Sequence, residues 1–403
     1  MNLLRSIGPA LIVAAVVLGP GSILTSSRVG ATIGLGGLLA IAIAVVLMIS
    51  MVILATRVGV VLKGSIGDEL AARISRPVAV AVGLVLFAIV ALFQSSNNVA
   101  LVAGVEPLLG TTLNTGARIY VIAGANVLIL ICLYGVRSLY QVVERAMKVL
   151  IGLTAVAFLI NFAFVFSQTQ GSENTPTENT GDILALTGMI ATTFSVAGAF
   201  YNAYLVREKG WKEADLRSST FDAFVSISAL GIITATILLT SYRVFYGRAD
   251  APELASVADV AKQLEPLFGP WARIIFAGGI LGGALSSFLV NALIGGTVLS
   301  DCVGGGAKLE DRLPLHLTAL ALLVGAGVAA ASLLNDGSTV GLITLAQALT
   351  VIGIPALAAA LLFLGHVPEV RAALPTGVLA VCWLGFALSC GLACITAMKV
   401  FAA

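Results

Sequence analysis

Apolar runs about as long as a bilayer is thick follow one another along this whole chain, and no polar segment between them is long enough to form a domain. That pattern dictates the fold class. A hydrocarbon core about 30 Å thick takes roughly 20 apolar residues per helix. Inside lipid, every backbone N–H and C=O must be satisfied within the segment or in a closed barrel, and runs of this length specify helices. Only 10% of the 403 residues are charged, against about 25% in a soluble domain. The chain reads as an all-α polytopic membrane protein.

Eleven spans are expected, over roughly 7–34, 36–58, 78–105, 117–135, 146–167, 182–206, 219–242, 270–299, 314–333, 339–364 and 374–399. The first apolar run follows Arg5 and continues through Gly-Pro-Gly into a second helical stretch, so it reads as a membrane helix and not a removable leader. The 168–181 connection is polar and lacks any basic residue. The 252–264 stretch has apolar residues near helical spacing and predicts a short amphipathic helix on the membrane surface. The five cysteines form no CxxC pair, so neither a zinc site nor a disulfide framework is expected. No basic patch suits nucleic acid, no nucleophile–base pair suggests an enzyme, and no cofactor is implied.

Basic residues set the orientation. With the N-terminus in the cytoplasm, fifteen of the 22 Lys/Arg lie inside, among them Arg5, Arg57, Arg137, Arg145, Lys148, Arg207 and Arg217. The expectation is a multi-pass inner-membrane protein with its C-terminus outside.

Two spans are interrupted at matching places: the first at Gly19-Pro20-Gly21-Ser22 and the sixth around Ser195–Ala199. Pro20 removes a backbone donor and blocks the carbonyl one turn back. The freed backbone groups must face protein, water or solute. Broken helices at corresponding positions of two halves point to a carrier site near the bilayer midplane.

The stretch Leu18-Gly-Pro-Gly-Ser-Ile-Leu-Thr-Ser-Ser-Arg-Val-Gly-Ala31 resembles the first helix of the NRAMP divalent-metal transporters, whose pattern there is Asp-Pro-Gly-Asn, Thr-Asp and a Gly-Ala pair. Further matches are Ala55-Thr-Arg-Val-Gly-Val-Val-Leu-Lys-Gly64, Tyr134-Gly-Val-Arg137, Tyr201-Asn-Ala-Tyr-Leu205 and Ala346-Gln-Ala-Leu-Thr-Val-Ile-Gly-Ile-Pro355. The resemblance implies a LeuT-like fold: one five-helix repeat over 1–167, an external loop at 168–181, an inverted second repeat over 182–364, and an extra helix within 365–403. It also implies alternating-access transport. The departures are at the chemistry. Gly19 and Ser22 stand where the family has its metal-binding Asp and Asn. Ala199, Phe200 and Tyr201 replace Met-Pro-His. Gln94 and Asn97 stand near the family's proton-linked Asp and Glu. Gln347 keeps the family's residue type.

None of the 20 acids falls at the expected midplane, and hard divalent cations favour carboxylate oxygens. The expected pocket is therefore neutral and hydroxyl-rich: Gly19, Ser22, Thr25, Ser26, Gln94, Asn97, Ser195, Ala199, Tyr201, Asn202 and Gln347. Ser286, Ser287 and Asn291 of the eighth span are further lining candidates. Five consecutive polar residues, Gln94–Asn98, are costly against lipid and should face a cavity. Arg28 lies six residues beyond Ser22, about 9 Å along the helix. With the positive end of the helix starting at Ser22, it would favour an anion or a zwitterion's carboxylate. The reading is thus an NRAMP-related secondary transporter with a carboxylate-free site and altered or absent proton coupling, carrying a small ion or small polar solute. A carrier of small anions or polar organic solutes and a non-transporting membrane sensor are the alternatives.

Overall fold

The computed structural model describes residues 8–135, 152–153, 155–167, 182–248, 253–308, 311–334 and 338–401. The expected 168–181 connection and the start of the 146–167 span lie outside these residues. So do Arg5, Arg137, Arg145, Lys148, Glu144, Glu173, Glu178, Asp250, Glu310 and Asp336.

Among the described residues, nine helical segments are long and apolar enough to cross a membrane. The second to fourth spans are Gly36–Val61, Arg76–Leu109 and Thr115–Tyr134, and the sixth to eighth are Ile183–Glu208, Glu213–Phe245 and Ala272–Cys302. The ninth to eleventh are Arg312–Ser332, Thr339–Gly365 and Val378–Phe401. The fifth span is represented by the apolar helix Ala155–Ser167. The first is split into Pro9–Val17 and Pro20–Thr32.

Alternate crossings put Pro9 on one face, here the N-terminal face, with the segments at 62–75, 209–215 and 303–308. The first, second, sixth and seventh spans pack on one another. The third, eighth and ninth form a second group, and the tenth bridges the third and sixth. Helix contacts are close where side chains are small. A Cβ on Gly30 would run into the backbone of Leu238, and one on Gly59 into that of Ala203.

The 252–264 stretch is helical only over Val257–Ala261, followed by a tight turn at Lys262–Leu264. Ser256 and Asp259 form its capping box, which fixes where the helix starts. Its apolar side, Val257, Val260, Ala261 and Leu264, is buried against the bundle instead of lying on lipid.

Candidate substrate site

The first span breaks at Leu18–Gly19. Proline at the first helical position of Pro20–Thr32 suits a helix start, because its missing N–H needs no partner there. Gly19, forced away from the helical region by the proline that follows, is extended at φ −102°, ψ −175°. The sixth span breaks at Phe194–Ser195, between Ile183–Thr193 and Val196–Glu208, just before the loose segment read from sequence. No proline marks it. The chain turns through Phe194 (ψ 60°) and Ser195 (ψ 84°).

The two breaks meet at a cavity of about 30 Å³, counted as the space a water molecule's centre can occupy. Roughly 10–15 Å³ suffices for one water, so this form accommodates a small ion or a few heavy atoms. Polar groups converge from five spans: Ser22, Asn97, Thr192 and Ser195, Ser287 and Asn291, and Gln347. Gly19, Gly21, Val90, Phe93 and Val290 are also part of the wall.

Two oxygens of the wall stand out. Ser22 Oγ and Gln347 Oε1 are fully buried and have no hydrogen-bond partner. The Gln347 amide is aimed by its other end: Nε2 donates to Ser96 Oγ at 2.7 Å. Its amide also lies where a Cβ on Gly21 would sit. Gly21 is thus required for Gln347 to approach the first span.

Six of the residues expected at the site line this cavity: Gly19, Ser22, Asn97, Ser195, Tyr201 and Gln347. The other six are placed differently. Thr25 returns its hydroxyl to Gly21 O at 2.7 Å. Ser26 is buried beyond the cavity wall. Gln94 Nε2 donates to the Phe288 carbonyl, and Gln94 Oε1 accepts from Asn97 Nδ2 at 3.1 Å. Gln94 thereby joins the third span to the eighth and orients Asn97. Ala199 is buried in the apolar core. Asn202 donates to Thr56 Oγ1 at 2.8 Å, linking the sixth span to the second. Arg28 pairs with Asp182 at 2.5 Å.

Sequence reasoning did not include Thr192, whose only signal was its place one turn before the sixth-span break. Ser287 and Asn291 line the wall, whereas the Ser286 hydroxyl turns back to Gly283 O at 3.3 Å. Among the described residues no three His, Cys, Asp or Glu side chains gather as a metal cluster, and no carboxylate lines the cavity.

Tyr201 stands between this cavity and a second one. Toward the N-terminal face the first cavity is lined by Ile12, Val13, Leu205 and Tyr201. Tyr201 also lines a wider vestibule of about 350 Å³ with Tyr204, Arg207, Ser65 and Lys308. Toward the opposite face, the Arg28–Asp182 pair joins the halves of the two broken spans that lie away from the N-terminal face. Beside it, Gln263 Nε2 donates to Ser27 Oγ at 2.9 Å, and Ser241 Oγ donates to Ser27 O at 2.6 Å.

The model of the natural resistance-associated macrophage protein-like family matches residues 10–399. A divalent metal cation transporter, MntH, of Verminephrobacter eiseniae is 23% identical over 333 residues, covering 78% of this chain and 71% of the relative. The Yersinia pestis protein of the same name is 23% identical over 310 residues, covering 74% and 73%. Among solved structures, the Eremococcus coleocola manganese transporter in complex with an aromatic bis-isothiourea substituted compound superposes with a TM-score of 0.77 at 17% identity, covering 99% of this chain and 87% of that one. The fold is therefore LeuT-like, two inverted five-helix repeats plus one helix, and the protein is a multi-pass membrane protein. A family match over residues 10–399, almost the entire length, establishes that the chain belongs to the Nramp family of transporters.

Proposed function

We propose that this Nramp member is a secondary transporter that moves a small cation by alternating access, holding it through neutral oxygens alone. The orphaned pair, Ser22 Oγ and Gln347 Oε1, carries this reading. Leaving a buried polar atom unpaired costs about 1–3 kcal/mol, and Ser22 and Gln347 line the same small cavity, so a cation entering it would give both oxygens a partner. Hard cations take oxygen ligands from side chains, backbone carbonyls and water, with affinity rising with the number of charged ligands. The relatives named above are divalent metal or manganese transporters, and a divalent metal ion is the proposed cargo. Without a carboxylate it binds weakly and keeps part of its water.

Pairing with Asp182 neutralises Arg28 outside the cavity, which removes the positive charge that favoured an anion. Gln94 and Asn97 cannot exchange protons near neutral pH, which supports transport without the family's proton coupling. The excess of basic residues on the N-terminal face supports a cytoplasmic N-terminus, an external C-terminus and an inner-membrane location. The matched breaks in the first and sixth spans support repeats at 1–167 and 182–364.

The test is a thermal-shift screen of purified protein against Mn²⁺, Mg²⁺, Ca²⁺ and small anions, since a ligand bound only by the folded state raises apparent stability. A divalent-cation shift that disappears in Q347A is the expected result. Shifts with anions alone, or a cation shift untouched by Q347A, contradict the proposal.

A further inference from the structure

At the N-terminal face, away from the candidate substrate site, a cavity of about 540 Å³ opens on the side of the bundle. It is lined by Arg57, Arg217, Thr220, Phe221, Phe224 and Pro375. Arg217, Thr220, Phe221 and Phe224 fall at positions i, i+3, i+4 and i+7 of the seventh span, so they share one helical face. Phe221 and Phe224 are 50% and 58% exposed. On a membrane-spanning helix that exposure is toward lipid.

Arg57, at the end of the second span, is only 3% exposed. Its guanidinium donates to neutral acceptors: Ser219 Oγ at 3.1 Å, Leu216 O at 3.1 Å, Thr220 Oγ1 at 2.6 Å and Ala373 O at 3.4 Å. These four bonds leave one N–H of Nη1, since the group has five. No carboxylate among the described residues pairs with Arg57 or Arg217. The nearby buried acid, Asp222, is turned away, accepting from Gly8 N at 2.8 Å and Ala10 N at 3.0 Å. A buried cation held only by neutral dipoles retains a large desolvation cost unless an anion approaches. Arginine's planar fork suits phosphate.

We infer that this cavity is a binding site for an anionic phospholipid, with its phosphate between Arg57 and Arg217 and an acyl chain over Phe221 and Phe224. Basic pockets between membrane helices near the headgroup level take such lipids. The apolar floor of the cavity, continuous with the lipid-facing helix surface, selects a lipid over a soluble phosphate.

The proposal is tested by thermal stability in detergent during titration with phosphatidylglycerol, phosphatidylcholine or inorganic phosphate. Wild type, R217Q and the surface control K212Q are compared, because an Arg57 variant risks misfolding. Phosphatidylglycerol should stabilise the wild type and K212Q at concentrations where phosphatidylcholine does not. R217Q should need roughly fivefold more of it, the loss of one basic contact near the membrane surface. Equal responses to both lipids, or an R217Q titration matching wild type, would overturn the site. Stabilisation by inorganic phosphate alone would overturn the lipid as its occupant.

Discussion

Arg28 and Asp182 join the halves of the two broken spans that lie away from the N-terminal face through a 2.5 Å ion pair. Asp182 also caps its own half-helix, its Oδ1 accepting from Ala185 N at 2.9 Å. Under the proposed alternating access, the two half-helices joined here separate when the opposite face opens, and the pair's contribution is conformational. R28Q and D182N should each raise the labelling rate of a cysteine placed at Ser22 by an external thiol reagent, while the KM for the carried ion stays within about twofold. The charge-swapped double variant should return labelling toward wild type, since partly exposed pairs contribute about 1 kcal/mol or less and depend on geometry. A large rise in KM in R28Q would place Arg28 in the substrate site.

Gly21 admits the Gln347 amide to the first span. G21A should leave the protein folded but push Gln347 from its bond to Ser96, lowering transport at least tenfold. Normal transport by G21A would show that Gln347 has no part in holding the solute.

Ser22 and Gln94 should behave oppositely. S22A removes an orphaned hydroxyl, so stability should hold or rise slightly while affinity falls. Q94A removes the bond to the Phe288 carbonyl and strips Asn97 of its partner, at a cost of about 1–3 kcal/mol. The apparent melting temperatures of the two variants in detergent separate these roles, and a more stable Q94A would contradict them.

Asp222 holds the start of the first half-helix by accepting from Gly8 N and Ala10 N. Loss of such a cap costs about 0.5–2 kcal/mol. D222A should accelerate amide exchange over residues 9–17 and leave exchange in Pro20–Thr32 unchanged. Unchanged exchange in both halves would remove the capping role.

The first break was legible because Gly19-Pro20 carries it in the covalent chemistry of the chain. The sixth-span break lacks a proline, so only small and polar residues hinted at it, and it falls at Phe194–Ser195, at the edge of that segment. The polar run Gln94–Asn98 announced that something other than lipid faces it, but sequence could not divide its labour. Asn97 lines the cavity, Ser96 positions Gln347, and Gln94 braces the third span against the eighth. Arg28 read as an anion-seeking charge because its partner, Asp182, belongs to a distant segment that only the fold brings near. Asn202 is an inter-helix tie for the same reason, its partner Thr56 lying on another span.

In the proposed function, the neutral cavity lined by Ser22 and Gln347 holds the carried ion. Uptake of Mn²⁺ and Mg²⁺ into proteoliposomes, with and without a pH gradient, tests it most directly. Uptake should saturate on the order of 10⁻⁴ M or above, as for oxygen sites of low charge, be indifferent to the pH gradient, and fall at least tenfold in Q347A. Submicromolar saturation, proton-driven uptake or full activity in Q347A would contradict it.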